Sequence, residues 1–303
     1  MSKRRVPDGS GSAPFRCGQL AIIGRPNVGK STLVNALVGA RISITSNRPQ
    51  TTRHRIRGIL TTDRAQLIFV DTPGFQTAHR SALNERMNRA VRESLTDVDA
   101  IVLVIEPSLT EGDRTVIALL PASVPAIVVV NKVDRLADKA RLLPLLSQVA
   151  ALREFAAIVP ISAEKGWQLD ELTAEMVKLM PVGPALYADD DLTDRDERFL
   201  AAEYIREKIF RLLGEEVPYA TTVTIDRFVQ EGELRRIHAT VLVDKASQRA
   251  ILLGERGERM KEIASGARRD MERLFGGKVF LEVWVRVKSG WANDERTLAQ
   301  LGY

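Results

Sequence analysis

"LAIIGRPNVGKSTLVNAL", residues 20–37, passes from an apolar run through Gly24-x-x-x-x-Gly29-Lys30-Ser31 into a helical pattern. A phosphate-binding loop needs this context, because glycines let backbone amides wrap the phosphates at the positive end of the helix that follows. Lys30 then reaches the β and γ phosphates and Ser31 offers its hydroxyl to magnesium. Gly24, Asn27, Val28, Gly29 and Thr32 complete the candidate phosphate-binding set.

The expected partners arrive in order. "QLIFVDTPGF" at 66–75 ends a strand in Asp71-Thr72-Pro73-Gly74, placing a carboxylate at the magnesium edge and the Gly74 amide near the γ phosphate. "AIVVVNKVD" at 126–134 ends another strand in Asn131-Lys132-Val133-Asp134. Asp134 can accept from guanine N1 and N2, where adenine would leave it unpaired, and Lys132 can lie over the base. "IVPISAEKG" at 158–166 then sets Ser162 and Ala163 after a further strand, with the Ala163 amide available to guanine O6. Four motifs at successive strand ends match the crevice rule of open α/β sheets. The set resembles the small GTPase fold from residue 18 to about 180, an α/β P-loop domain with a mostly parallel sheet and helices on both faces. Guanine is the expected base, as GTP or GDP with Mg2+.

"SNRPQTTRHRIRGIL" at 46–60 occupies the place of the first switch, where Thr52, with Thr51 as the alternative, is the candidate third magnesium residue beside Ser31 and Asp71. Phe75 follows Gly74, and an apolar side chain cannot orient an attacking water as glutamine does. Slow intrinsic hydrolysis is therefore expected, with Lys30, Thr52, Gly74 and Asn27 as the catalytic candidates. In this respect the chain resembles the translation-factor-related GTPases, and that resemblance implies Asn27 as a potassium ligand.

At 303 residues, 45% hydrophobic and 27% charged, the sequence is long enough for two cores. No apolar run reaches membrane-spanning length, and Cys17, the only cysteine, excludes an intrachain disulfide or zinc site. A cytoplasmic location is expected. The net charge of +5 hints at a polyanionic partner, but residues 186–303 hold 20 Lys/Arg against 22 Asp/Glu. Any case for nucleic acid must rest on placement. His54, His79 and His238 lack metal-ligand spacing, and Trp167, Trp284 and Trp291 read as packing residues.

Residues 1–17 read as a basic, Gly/Ser/Pro-rich arm and 181–194 as an acidic, proline-containing linker. From 195 to 290 the pattern runs helix, strand, strand, helix, helix, strand, leaving 291–303 as a C-terminal tail. Between the last two helices lies Gly254-Glu255-Arg256-Gly257. A type II KH domain, an α+β module, uses such a loop to clamp a single-stranded nucleic-acid backbone. The glycines admit close approach and the next helix start favours phosphate; Arg256 and Lys261 add charge, whereas Glu255 opposes it.

With "GRPNVGKSTLVNAL", "QTTRHRIRGI", "DTPGF", "NKVD", "SAEKG" and "GERGERMKEIASGARRDMERLFG" in this order, the chain resembles the Era family of bacterial ribosome-assembly GTPases over residues 18–290. That resemblance implies binding near the 3′ end of 16S rRNA, action in 30S subunit maturation, and peripheral association with the inner membrane, by a protein expected to be a monomer. Hydrolysis is expected to release the switches and alter the KH domain through the linker. The competing readings are a tRNA-modification GTPase, whose C-terminal cysteine is absent here, and an RNA scaffold that binds guanine nucleotide but hardly turns it over.

Overall fold

Strands buried on both faces read as continuous apolar runs, and four such runs form the centre of the sheet in the computed structural model. It describes residues 13–45, 53–74, 82–95, 97–213 and 217–300. Strands β1 (Arg16–Ile23), β3 (Ala65–Asp71), β4 (Ala100–Ile105), β5 (Ala126–Val130) and β6 (Ala157–Pro160) run parallel, and β2 (Ile56–Thr61) lies antiparallel on β3. The order across the sheet is β2-β3-β1-β4-β5-β6. Alternation along the strands divides the interior in two. Leu20, Ile22, Phe69, Val102 and Val129 pack under α1 (Lys30–Val38) and α5 (Leu169–Leu179). Ala21, Ile23, Leu103 and Val128 pack under α2 (Ala82–Glu93), α3 (Glu111–Ala118) and α4 (Leu142–Ala150).

The sequence order puts the exposed edge at β2, and the segment read as a linker covers it. Ile59 donates its amide to the Leu192 carbonyl at 3.0 Å, Gly58 bridges to Thr193, and the side-chain Oε1 of Gln66 on β3 accepts the amides of Leu186 and Tyr187 at 2.7 and 3.0 Å. The linker is thus bound to the first domain's sheet. An edge strand satisfied in this way no longer templates foreign pairing.

The second domain follows the expected order. It comprises α6 (Glu197–Leu212), β7 (Thr221–Glu231), β8 (Leu234–Val243), α7 (Ala246–Leu253), α8 (Glu258–Phe275) and β9 (Lys278–Val287). Asp196 caps α6 by accepting the Phe199 amide at 2.8 Å. β8 pairs antiparallel with β7 and parallel with β9, and one face of this sheet packs on α6, α7 and α8 through Ile237, Val241, Ile205, Leu252 and Ile263.

Three expectations need correcting. The arm does not run to residue 17, because β1 begins at Arg16 and pairs with Ala65. Residues 291–300 are not a tail apart from the domain: Trp291 is fully buried and its indole donates to the Ala220 carbonyl at 3.0 Å, followed by α9 (Glu295–Gln300). Trp291 packs as expected, but Trp167 and Trp284 are 48% and 55% exposed. Among the described residues, no helix is long and apolar enough to cross a membrane.

Candidate functional site

The loop between β1 and α1 is shaped by its neighbours. Gly24 has φ 150° and a Cβ there would lie 2.4 Å from the Val104 carbonyl oxygen; Gly29 has φ 99° and a Cβ would lie 2.3 Å from Asn131 Nδ2. Asn27 also takes a positive φ, 67°. These angles turn the chain so that α1 starts at Lys30, with its free amides at the loop. Val28 is buried, Thr32 half-buried in the first turn of α1, and Gly74 rests on Pro26, within 2.9 Å of its Cα if extended by a Cβ.

Lys30 is only 6% exposed, and its ammonium donates to the carbonyls of Gly24 and Arg25 at 3.1 and 2.9 Å. Burial pulls its pKa down to about 8, opposed by the charge of Asp71. It therefore keeps its proton at neutral pH. Asp71 is fully buried; its Oδ2 accepts from the Ser31 and Ser43 hydroxyls at 2.8 and 2.7 Å. Its Oδ1 has no hydrogen-bond partner among the described residues. Burial pushes this carboxyl up, opposed by Ser43, Lys30 and Ser31. The hydroxyl of Ser31 and a buried carboxylate with one oxygen unpartnered are the hard oxygen donors that magnesium takes, so these residues fit it. Thr51, Thr52 and Phe75 lie outside the described residues.

Asn131 joins the base-side loops to the phosphate loop. Its amide nitrogen donates to the Val28 carbonyl at 2.9 Å and its amide oxygen accepts the Ala163 N–H at 3.0 Å, while its backbone N–H reaches Ile105 on β4. Lys132, at φ 63°, donates from Nζ to the Asn27 carbonyl at 2.6 Å and pairs with Glu106. Asp134 Oδ1 is buried with no partner among the described residues. An orphaned buried carboxylate oxygen is costly, and guanine N1 and N2 are donors suited to it. Ser162 is fully buried and its hydroxyl accepts the Lys165 amide at 3.2 Å. The roles of Ser43 and Glu106 were not legible in the sequence, since neither belongs to a spaced motif.

The second glycine loop joins α7 to α8. Gly254 (φ 70°), Arg256 (φ 51°) and Gly257 (φ 82°) all take positive φ, which turns the chain sharply and leaves Glu255, Arg256 and Lys261 exposed. A Cβ on Gly254 would lie 2.7 Å from that of Arg259, whereas Gly257 has no heavy atom within 4 Å of that position.

What sequence reading missed is how the domains meet. Just before residue 46, Arg41 pairs with Glu207 of α6 and with Asp270 of α8 at 3.0 Å, and Tyr204 donates its hydroxyl to the Arg41 carbonyl at 2.6 Å. Arg211 donates to the Thr45 hydroxyl at 2.9 Å. Just after residue 52, buried Arg53 donates to the carbonyls of Pro218, Tyr219 and Thr221 at 3.1, 2.9 and 2.8 Å, with its guanidinium near the rings of Phe210 and Trp291. His54 meets Phe199 edge-on at 5.4 Å. Helix α2 lies beside the turn at 291–293. Residues 41–45 and 53–54, on either side of 46–52, are thus fastened to α6, α8 and the start of β7 in the second domain.

Comparison with known proteins agrees with this layout. Residues 19–132 match the family described as 50S ribosome-binding GTPase, and residues 216–292 match the KH domain. GTPase Era of Nitrosomonas eutropha is 53% identical over 290 residues, spanning 95% of this chain and 98% of that protein. GTPase Era of Xanthomonas oryzae pv. oryzae is 54% identical over 294 residues, spanning 96% and 98%. Two solved structures superpose with a TM-score of 0.92 at 36% identity, each covering 95% of this chain and 99% of its own: an Aquifex aeolicus Era variant bound to GDP·AlF4−, and Era in complex with MgGDPNP and nucleotides 1506–1542 of 16S ribosomal RNA. Sharing both domains and their order over nearly its whole length with these proteins, the chain belongs to the Era family of GTPases.

Proposed function

We propose that this GTPase is a switch whose nucleotide state sets how the KH domain holds single-stranded 16S rRNA near its 3′ end during 30S subunit assembly. The observation that carries it is the fastening of residues 41–45, just before the switch segment at 46–60, and of Arg53 and His54 within it, to α6, α8 and the start of β7. A change in that segment that moves these residues loads those contacts. The route from nucleotide to RNA is therefore the Arg41 and Arg53 anchors, with the linker held on β2.

At the nucleotide site, the amides from Asn27 to Thr32 and the Lys30 ammonium hold the phosphates, while Asp134, Lys132 and the Ala163 amide hold guanine. Asn131 fixes the distance between the two sets, and Ser162 supports the loop that carries Ala163. Ser31, Asp71 and Thr52 would hold magnesium, which when bound screens charge on the β and γ phosphates. Gly24 and Gly29 let the loop pack against the Val104 carbonyl and the Asn131 amide, where a Cβ would clash. Water attacks the γ phosphorus, the bond to the bridging oxygen breaks, and GDP and phosphate leave. The Gly74 amide stabilises charge on the γ oxygens, and Lys30, kept protonated, does the same at the bridging side. Phe75 orients no water, so unaided turnover is slow. Asn27 at the loop's positive-φ turn is the side chain we assign to potassium; equal hydrolysis rates in sodium and potassium buffers would refute that assignment.

At the RNA site, Gly254 and Gly257 let the backbone approach, the start of α8 and Arg256 with Lys261 meet phosphate, and Glu255 limits how tightly it is held. Family membership supports a cytoplasmic monomer working on the 30S subunit, with peripheral contact to the inner membrane. Binding of a labelled RNA copying nucleotides 1506–1542 by the GDPNP and GDP forms tests the reading: unequal affinity supports it, equal affinity counts against it.

A further inference from the structure

The outward face of β9 alternates charge with aromatic ring. Val279, Leu281, Val283 and Val285 pack on the KH core, so Lys278, Phe280, Glu282, Trp284 and Arg286 stand on the opposite face of the sheet from α8. Phe280 is 45% exposed and Trp284 55%. On the adjacent strand, Arg236 stands opposite Phe280 with its guanidinium 5.4 Å from the ring centre. His238 stands opposite Glu282, 3.3 Å from its carboxylate, with the imidazole 6.4 Å from the Phe280 ring. Phe280, His238 and Trp284 thus form a row. Successive members are two residues apart in register, roughly 6.6 Å of strand rise, which suits one step of an extended nucleotide chain.

The charges decide what such a row fits. An interface core for protein needs contiguous apolar surface depleted of charge, whereas here each ring is bracketed by charged side chains. Of the acidic groups on this face, Glu231 is paired with Arg236 at 2.7 Å; Asp226, which accepts from the neutral Thr240 hydroxyl at 2.6 Å, and Glu282, 3.3 Å from His238, keep their charge and are outnumbered by the cations named next. Arg227, level with His238, together with Lys278 and Arg286, makes no ion pair among the described residues. Separate rings flanked by unpaired cations are how a sequence-tolerant single-strand platform is built.

We propose that this face is a second contact for single-stranded RNA, with bases stacked on Phe280, His238 and Trp284 and phosphates met by Arg227, Lys278 and Arg286. It rests on the reading of RNA as the KH domain's partner but uses none of the residues of the Gly254–Gly257 loop.

The test measures the affinity of the full-length protein for RNA copying nucleotides 1506–1542. The variants are Phe280→Ser with Trp284→Ser, Trp284→Phe, and Gly257→Asp, the last chosen because space there is open and Asp tolerates positive φ. The double variant is expected to bind roughly tenfold more weakly per ring removed, with Trp284→Phe close to the parent, and adding Gly257→Asp to the double variant is expected to multiply the two losses. Parental affinity in the double variant beside a loss in Gly257→Asp would overturn the second contact and leave the loop reading standing. No binding by the parent would remove both. Unchanged RNA affinity with altered sedimentation in the double variant would give the face to a protein partner instead, also overturning the proposal.

Discussion

The two glycine loops of this chain differ in how much of the space around them the protein fills. In the nucleotide loop the space beside Gly24 and Gly29 is filled by the protein itself, by the Val104 carbonyl and the Asn131 amide, and the loop's carbonyls are already bonded to Asn131, Lys132 and Lys30. In the loop at 254–257 Arg259 fills the space beside Gly254, but the space beside Gly257 is open and the loop's charged residues face solvent. The difference teaches what each ligand demands. A small, charged nucleotide that must be told from its analogues needs a rigid, buried frame. A polymer backbone gripped without base readout needs only a turn and room.

The sharpest way to break this comparison is Asp134→Asn. It replaces the buried acceptor suited to guanine N1 and N2 with a donor, and GTP affinity is expected to fall by roughly three to four orders of magnitude with RNA affinity of the nucleotide-free protein little changed. Titration with a fluorescent GTP analogue reads it, and a drop below tenfold would mean Asp134 does not face the base. Next comes the matched pair Gly29→Ala and Gly257→Ala. The first adds a clash to a positive φ and should cost about 3 kcal/mol of stability, the second only the backbone strain of about 1 kcal/mol. Equal urea midpoints would erase the distinction between the loops. Asn131→Ala should cost about 2 kcal/mol, because it leaves the Ala163 N–H and Val28 carbonyl unpaired inside the frame.

A smaller effect follows from His54, at the join of the two regions. Burial holds its pKa down at about 4, with Glu203 opposing and Arg206, Arg195 and Arg53 reinforcing. An unfolded histidine titrates near 6.5, so between the two values the unfolded chain takes up a proton the folded chain refuses. Stability is at full strength above pH 6.5 and falls as pH drops toward 4, by about 1 to 2 kcal/mol at pH 5. Urea unfolding of the parent and of His54→Phe at pH 7 and 5 checks it; the variant should lose less.

The nucleotide frame was legible in the sequence because its chemistry restricts residue type at fixed spacing. Only glycine suits φ 99° against Asn131, and only a carboxylate answers guanine. The order of the KH elements was legible from alternation and helical spacing in the same way. Arg53 was not: its partners Pro218, Tyr219, Thr221 and Trp291 lie more than 160 residues away, and no periodicity links them. Trp284 and Trp291 show the same limit. Strand alternation places Trp284 on one face but cannot say which face stays open, and a tryptophan after the last strand carries no mark that it will close under Ala220.

If nucleotide state reaches the loop at 254–257 through the Arg41 and Arg53 anchors, removing one anchor uncouples the two sites. The most direct test compares the affinity of Arg53→Gln and of the parent for RNA copying nucleotides 1506–1542, each loaded with GDPNP and with GDP. The parent should bind RNA differently in the two nucleotide states and the variant equally, while both proteins still bind GDPNP and RNA. A parent that binds RNA equally in both states, or a variant that keeps the full difference, would contradict it.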